Sequence, residues 1–194
     1  LLGVGNTAIQ GAINPLGVDM IAAFNAVNRI DDYAFTPEQS ISHGITTFVA
    51  QNRGAGKKER IRAGFRRGLM LEALYWVFIC TVITFLKEPL VGLFVTEGNE
   101  AIVAIGSSYL AVMALFYLFP AFTNGIQGFF RGMGNMGITL MGTVIQTSLR
   151  VIFVYLLAPV MGMQGVAYAC AIGWGVMLLA EVPYYFWYMR RHDN

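Results

Sequence analysis

Charge is what this chain has least of. Only 12% of its 194 residues are Asp, Glu, Lys or Arg, about half the share of a soluble domain. That scarcity excludes an ordinary solvated surface. Cysteine is scarce as well. Cys80 and Cys170 both sit in apolar runs, which excludes a disulfide framework and metal-ligand spacing and leaves two small buried hydrophobes. Catalytic signatures are missing too. There is no His, Cys and acid cluster at metal spacing, no serine nucleophile elbow and no phosphate loop running into Lys-Ser or Lys-Thr. Gly54-Ala55-Gly56-Lys57 has the look of a phosphate loop but lacks the preceding strand and the spacing. The expectation is a protein that is not an enzyme and needs no organic cofactor or resident metal. Ahead of its first apolar residues the chain has no charged flank, so it does not open on a signal peptide. Leu1-Leu2-Gly3 reads as the middle of a pattern, and we expect the start of a first span to lie upstream.

Apolar residues are what is there. They make up 56% of the chain, with 14 Phe, 9 Tyr, 22 Gly and a mean hydropathy of +0.58. Glycine is commoner in membrane helices than in soluble ones. Lipid is the solvent this composition suits.

The basic residues are concentrated rather than spread. Arg53, Lys57, Lys58, Arg60, Arg62, Arg66 and Arg67 are seven of the thirteen, with only Glu59 among them. A cluster like this also serves as a solvated turn or a nucleic-acid patch. Here apolar segments flank it on both sides. A basic loop between apolar segments fixes orientation in a bilayer, and no nucleic-acid partner is expected.

Six segments follow from the punctuation. Residues 1–14 are apolar with Asn6, Thr7, Gln10 and Asn14 inserted, and are too short to cross about 30 Å of hydrocarbon. A turn at Pro15-Leu16-Gly17 leads into a long segment, 20–50, with Pro37 inside it as a kink site. Segments at 61–86, 101–130, 136–158 and 164–189 complete the set. Lys87-Glu88-Pro89 closes the third, and Glu97 to Glu100 form an exposed link. Pro120 breaks the fourth, Arg131-Gly132-Met133-Gly134-Asn135 forms a glycine turn, and Trp187, Tyr188, Arg190 and Arg191 anchor the end at an interface. Alternation then places the 53–67 loop, the 131–135 turn and the C-terminal tail on one side, the cytoplasmic one. That side carries ten basic residues; the other carries Lys87 alone. The expected fold is all-α: a polytopic membrane bundle of about five complete spans and one partial one.

Polar residues inside these spans are the functional candidates, because charge at membrane depth costs roughly 2.5–3.5 kcal/mol per residue and persists when paired or facing a watery cavity. Asn25, Arg29, Asp32, Thr36, Gln39 and His43 recur at helical spacing as one stripe on the second segment. Arg29 and Asp32, three apart, are able to pair. Two readings stand. Arg29, Asp31 and Asp32 form a structural ion-pair set near an interface, or they line a cavity that attracts cations. Glu38 follows the kink proline and either binds a proton or cation or bonds neighbouring helices. Asn6, Gln10 and Asn14 repeat every fourth residue and face a cavity. Glu72 pairs with Arg66 or Arg67, Arg150 anchors a helix pair or touches substrate, and Glu181 is interfacial. Of Phe116, Tyr117, Phe119, Phe122, Phe129 and Phe130, most face lipid or core, and a few offer a face to flat cations.

Ile21-Ala22-Ala23-Phe24-Asn25-Ala26-Val27-Asn28-Arg29-Ile30, then Pro37, then Gln51-Asn52-Arg53-Gly54-Ala55-Gly56-Lys57 resembles the multidrug and toxic compound extrusion (MATE) family. The Arg131-Gly132 and Gly162-x-x-Gly165-Val166-Ala167 turns are similar too. The resemblance covers essentially the whole chain. It implies half of a twelve-helix antiporter built from two six-helix lobes around a central cavity. The motif occurs once here, which implies the C-terminal lobe across 1–194, with the N-terminal lobe and the start of the first span missing. Partners implied are that other lobe, the lipid bilayer and small organic cations. The coupling ion would be Na+ or H+. Some branches carry coupling acids in the first and fourth helices of this lobe; here those segments have no Asp or Glu, which implies a coupling carboxylate mainly in the missing lobe. The resemblance implies bending points at Pro37 and Pro120, in the inner or plasma membrane. A flippase for lipid-linked oligosaccharides, from the same superfamily, and a non-transporting membrane scaffold are the alternatives.

Overall fold

The computed structural model describes residues 2–96 and 99–193, so Glu97 and Gly98 of the expected link lie outside it. Among the described residues there is no strand. Seven helices follow in order: α1 (Leu2–Ile13), α2 (Val18–Gly54), α3 (Lys58–Gly92), α4 (Glu100–Phe116), α5 (Leu118–Gly132), α6 (Met136–Met161) and α7 (Met163–Asp193), with a short 3-10 turn at Asn14–Leu16.

Three boundaries differ from the sequence reading, each for a local reason. The basic stretch is mostly helix rather than loop. Only Ala55 to Lys57 separate α2 from α3, and Gly56 makes the turn with φ at +67°, a conformation glycine adopts without steric cost. Lys87-Glu88-Pro89 does not end α3. Pro89 keeps its carbonyl, which accepts from the Leu93 amide at 3.2 Å, and the helix runs on to Gly92. Pro37 lies inside an unbroken α2. Its ring removes one donor, and Tyr75 Oη donates to the Ala34 carbonyl at 2.8 Å in the turn thus loosened. The fourth segment breaks at Tyr117, three residues ahead of Pro120, where α4 and α5 meet at 43°. A proline clashes with the carbonyl four residues earlier, here that of Phe116, so the discontinuity precedes the ring.

Helices α3, α6 and α7 are each long and apolar enough to cross a bilayer, and α4 with α5 qualifies as one bent span. α2, with 37 residues, has the length; its polar and charged residues together keep it out of that group. α1, with 12 residues, is too short to cross by itself. The apolar stretch of α3 is only 11% buried. Met70, Leu74, Val77, Phe78 and Phe85 on α3 and Leu140, Val144, Ile152, Leu156 and Val160 on α6 are exposed. Apolar surface on that scale belongs against lipid or another helix layer.

Two cores hold the lobe. The larger joins α1, the first half of α2, α4 and the start of α7 around Ile9, Val27, Leu110, Tyr117 and Val166. The smaller gathers at the basic end around Val49, Phe65, Phe129 and Phe130, with Tyr184, Tyr185 and Tyr188 packed on it. Phe129 and Phe130 are therefore core. At the end of α7 the Arg191 guanidinium stacks 4.8 Å over the Trp187 ring, a combination suited to an interface.

Small residues bring α5 against α2. A side chain at Gly128 would meet the Ser42 carbonyl oxygen at 2.6 Å, and one at Gly132 would meet that of Thr46 at 2.8 Å. This is how membrane helices pack closely. Thr46 Oγ1 donates to the Gly128 carbonyl at 3.0 Å, and Arg131 donates to Ser42 Oγ at 2.6 Å.

Candidate functional site

One face from each of six helices closes on a cleft of about 550 Å³. Asn28, Asp31, Asp32, Phe35 and Gln39 come from α2, spaced to lie along one side of a helix. Tyr109 and Met113 come from α4, and Pro120, Thr123, Asn124 and Gln127 from α5. Thr143, Gln146 and Arg150 stand one or two turns apart on α6; Cys170, Trp174 and Met177 do the same on α7, and α1 adds Asn6. α3 contributes nothing to this lining. A smaller pocket of about 200 Å³, bounded by Gln39, Ser42, His43, Asn124 and Arg131, shares two residues with the cleft and lies towards the basic end.

The lining is rich in amides, which offer both donors and acceptors. Its charged members are Asp31, Asp32 and Arg150. Asp31 is nearly buried and accepts from Tyr117 Oη. Arg150 lies within electrostatic reach of Asp31 and against the Cys170 thiol; its Nε is buried without a hydrogen-bond partner among the described residues. Asp32 is exposed. Phe35 makes edge contacts with Tyr117 at 5.1 Å and with Trp174 at 5.9 Å. A flat, partly charged molecule would meet aromatic rings on one wall and amides on the others.

Among the residues singled out from sequence, Asn6, Asp32, Gln39, Arg150 and Pro120 line this cleft. Gln10, Asn25, Arg29, Thr36 and Glu38 stand outside its lining. Gln10 instead donates to Asn14 Oδ1 at 3.2 Å, and Thr36 donates to its own helix at the Asp32 carbonyl. Arg29 and Asp32 are both exposed and form no ion pair among the described residues.

Two glutamates correct their expected surroundings. Glu72 does not pair with Arg66 or Arg67. It is fully buried, and neither oxygen has a hydrogen-bond partner among the described residues. Arg66 and Arg67 sit six and five residues earlier, which turns them to other faces of α3. Glu181 faces the interior of the bundle. It is 1% exposed and accepts from Gln127 Nε2 at 3.1 Å, in space that Gly142 leaves open.

The cleft residues that sequence reasoning passed over did leave a signal. Thr143 and Gln146 fall on the helical face of Arg150, and Cys170, Trp174 and Met177 likewise follow helical spacing. Only packing reveals that those faces converge.

Apolar helices of spanning length closing on a polar cleft are the build of a secondary transporter. The comparisons agree with that class. A family model described as MatE matches residues 2–156, and the chain belongs to that family, the MATE transporters. It is 30% identical over 141 residues to a probable multidrug resistance protein NorM of Thermotoga maritima, covering 66% of this chain and 30% of that protein. It is 25% identical over 182 residues to a probable multidrug resistance protein YpnP of Bacillus subtilis, covering 93% and 40%. A crystal structure of MATE in the straight conformation superposes with a TM-score of 0.86 at 20% identity, covering 99% of this chain and 42% of that one. The chain thus spans less than half the length of these relatives.

Proposed function

We propose that this chain is the C-terminal lobe of a cation-coupled antiporter that exports organic cations and drugs by alternating access. The cleft is the observation that carries the reading: an amide-rich, aromatic-walled space whose charged residues are two aspartates and one arginine. Aromatic faces and carboxylates both attract cations. The other lobe of the same polypeptide closes the cavity. The membrane is the inner or plasma membrane, with the 53–67 stretch and the C-terminus in the cytoplasm; the clustering of basic residues at that end supports this orientation. The bend between α4 and α5 ahead of Pro120 and the loosened turn at Pro37 are where the lobe flexes. Na+ or H+ drives the exchange.

The test is efflux of a cationic dye by the full-length transporter in vesicles, with the sodium and proton gradients imposed separately. Export that follows one of these gradients is the expected result. Dye that leaves at the same rate with both gradients collapsed would contradict coupled antiport.

A further inference from the structure

Behind the cleft lie four buried carboxyl oxygens that lack a well-formed hydrogen bond among the described residues, with the Asn124 side chain within reach of Glu38. They belong to Glu38 on α2 and Glu72 on α3, both fully buried. Glu72 lies within electrostatic reach of Glu38. Buried polar groups are normally partnered, so each exception asks for an explanation.

Position supplies one. α3 stays outside the cleft lining, so the pair sits one layer behind it. Asn124 belongs to both places: it lines the cleft and acts on the Glu38 carboxyl. Asp31, two turns before Glu38 on the same face of α2, also lines the cleft. On its other side Glu72 packs its Cγ 3.8 Å from where a side chain at Gly125 would begin.

Among the described residues, no counter-ion acts on either glutamate. α2 faces Glu38 with Asp31, α3 with Glu72 and Tyr75, and the α4–α5 break with Tyr117. On α5, Arg131 is turned to Ser42 and Thr46, and His43 is exposed at the neighbouring pocket. Two ionised carboxylates buried together without a cation would carry both the desolvation penalty and mutual repulsion. No group of three His, Cys, Asp or Glu side chains suited to a metal occurs among the described residues. A proton needs only one oxygen, and it turns an acceptor-only group into a donor and acceptor.

We propose that Glu38 and Glu72 form a proton-binding pair that exchanges with the cleft past Asn124. A hydronium ion in cleft water gives up one O–H bond as one carboxylate forms one, leaving water, and the reverse transfer returns the proton by the same route. The pair also touches the flexing point of α2. Tyr75, which feels both glutamates, donates to Ala34 in the turn loosened by Pro37. Proton occupancy would thereby bear on how α2 and α3 pack. This deepens the antiporter reading by naming a proton site within this lobe, and it rests on that reading for its physiological meaning.

Infrared difference spectroscopy on the full-length transporter, stepped through pH, tests it. The protonated-carboxyl C=O stretch should lose intensity in Glu38→Gln and in Glu72→Gln, and the remaining carboxyl should titrate at a different pH in each single variant. Glutamine keeps the shape of the neutral acid, so folding should survive. Wild-type protein carrying isotope-labelled glutamate gives the same readout without substitution, as a shifted acid band that titrates. A titrating band unchanged in the double variant, or one abolished by sodium at fixed pH, would overturn the pair. Dye binding to the same wild-type sample is read separately. Dye bound with no glutamate signal contradicts the pair alone; a glutamate signal without dye binding contradicts the transporter reading.

Discussion

A Gly128→Leu transporter should fail to fold into a detergent-stable particle, while Gly44→Ala should be tolerated. The two glycines differ in what surrounds them. A first side-chain carbon at position 128 would sit 2.6 Å from the Ser42 carbonyl oxygen and 2.9 Å from Ser42 Oγ; at position 44 it would meet nothing within 4 Å. The carbonyl belongs to the backbone of α2 and cannot rotate away. Even tolerated overpacking costs about 1–3 kcal/mol, and here two helices must separate. They are held at that distance by the Thr46 bond to the Gly128 carbonyl and by Arg131 on Ser42, so separation also strips polar groups of partners. Alanine at 44 replaces the most flexible residue in a helix, worth roughly 0.5–1 kcal/mol in the favourable direction. Thermal midpoints by fluorescence-detected size exclusion, on full-length protein, provide the comparison. A Gly128→Leu midpoint equal to wild type would mean that α2 and α5 do not approach as described.

Asp32→Lys should nearly abolish binding of a cationic dye and leave an uncharged dye little affected. The charged members of the cleft are Asp31, Asp32 and Arg150, a formal balance of one negative charge. Asp31 is engaged by Tyr117 and faces Arg150. Asp32 is exposed, with no ion-pair partner among the described residues, and is the carboxylate free to meet a ligand. At several ångströms in a partly wet site, a unit charge is worth about 1–2 kcal/mol to a cation. Reversal changes two units, so affinity should fall about thirtyfold or more, with Asp32→Asn losing about tenfold. Added salt should narrow the difference. Fluorescence anisotropy on the purified transporter reads both dyes. Equal losses for charged and uncharged dyes would point to a disturbed fold instead of lost attraction.

Much of the fold was legible because lipid makes simple demands. Apolar runs of spanning length, basic residues gathered at one end and prolines near helix ends set the segments, and the structure moves their limits by a few residues. The MATE resemblance of residues 21–57 and of the glycine turns matched the family found by comparison. The candidate site was less legible. The stripe Asn25, Arg29, Asp32, Thr36, Gln39 and His43 runs beside the cleft-facing line Asn28, Asp31, Asp32, Phe35 and Gln39. The two share Asp32 and Gln39. Periodicity identifies a polar stripe but not which side of it neighbouring helices cover. The same ignorance hid the buried glutamates. Glu72 lay near basic residues in sequence, yet on a helix the angular offset decides, and it points Glu72 inward to meet Glu38 and Gly125. Glu181, near the end of its segment, read as interfacial, but it faces inward onto Gly142 and Gln127.

The account as a whole depends on helices threaded through lipid with the basic end in the cytoplasm. Cysteine labelling in intact cells tests this most directly, using the full-length transporter with Cys80 and Cys170 replaced by serine and its efflux retained. A membrane-impermeant maleimide should label Asn99→Cys, at the start of α4, from outside. It should label Lys57→Cys, between α2 and α3, only after the cells are permeabilised. Labelling of Lys57→Cys in intact cells, with Asn99→Cys protected, would contradict the account.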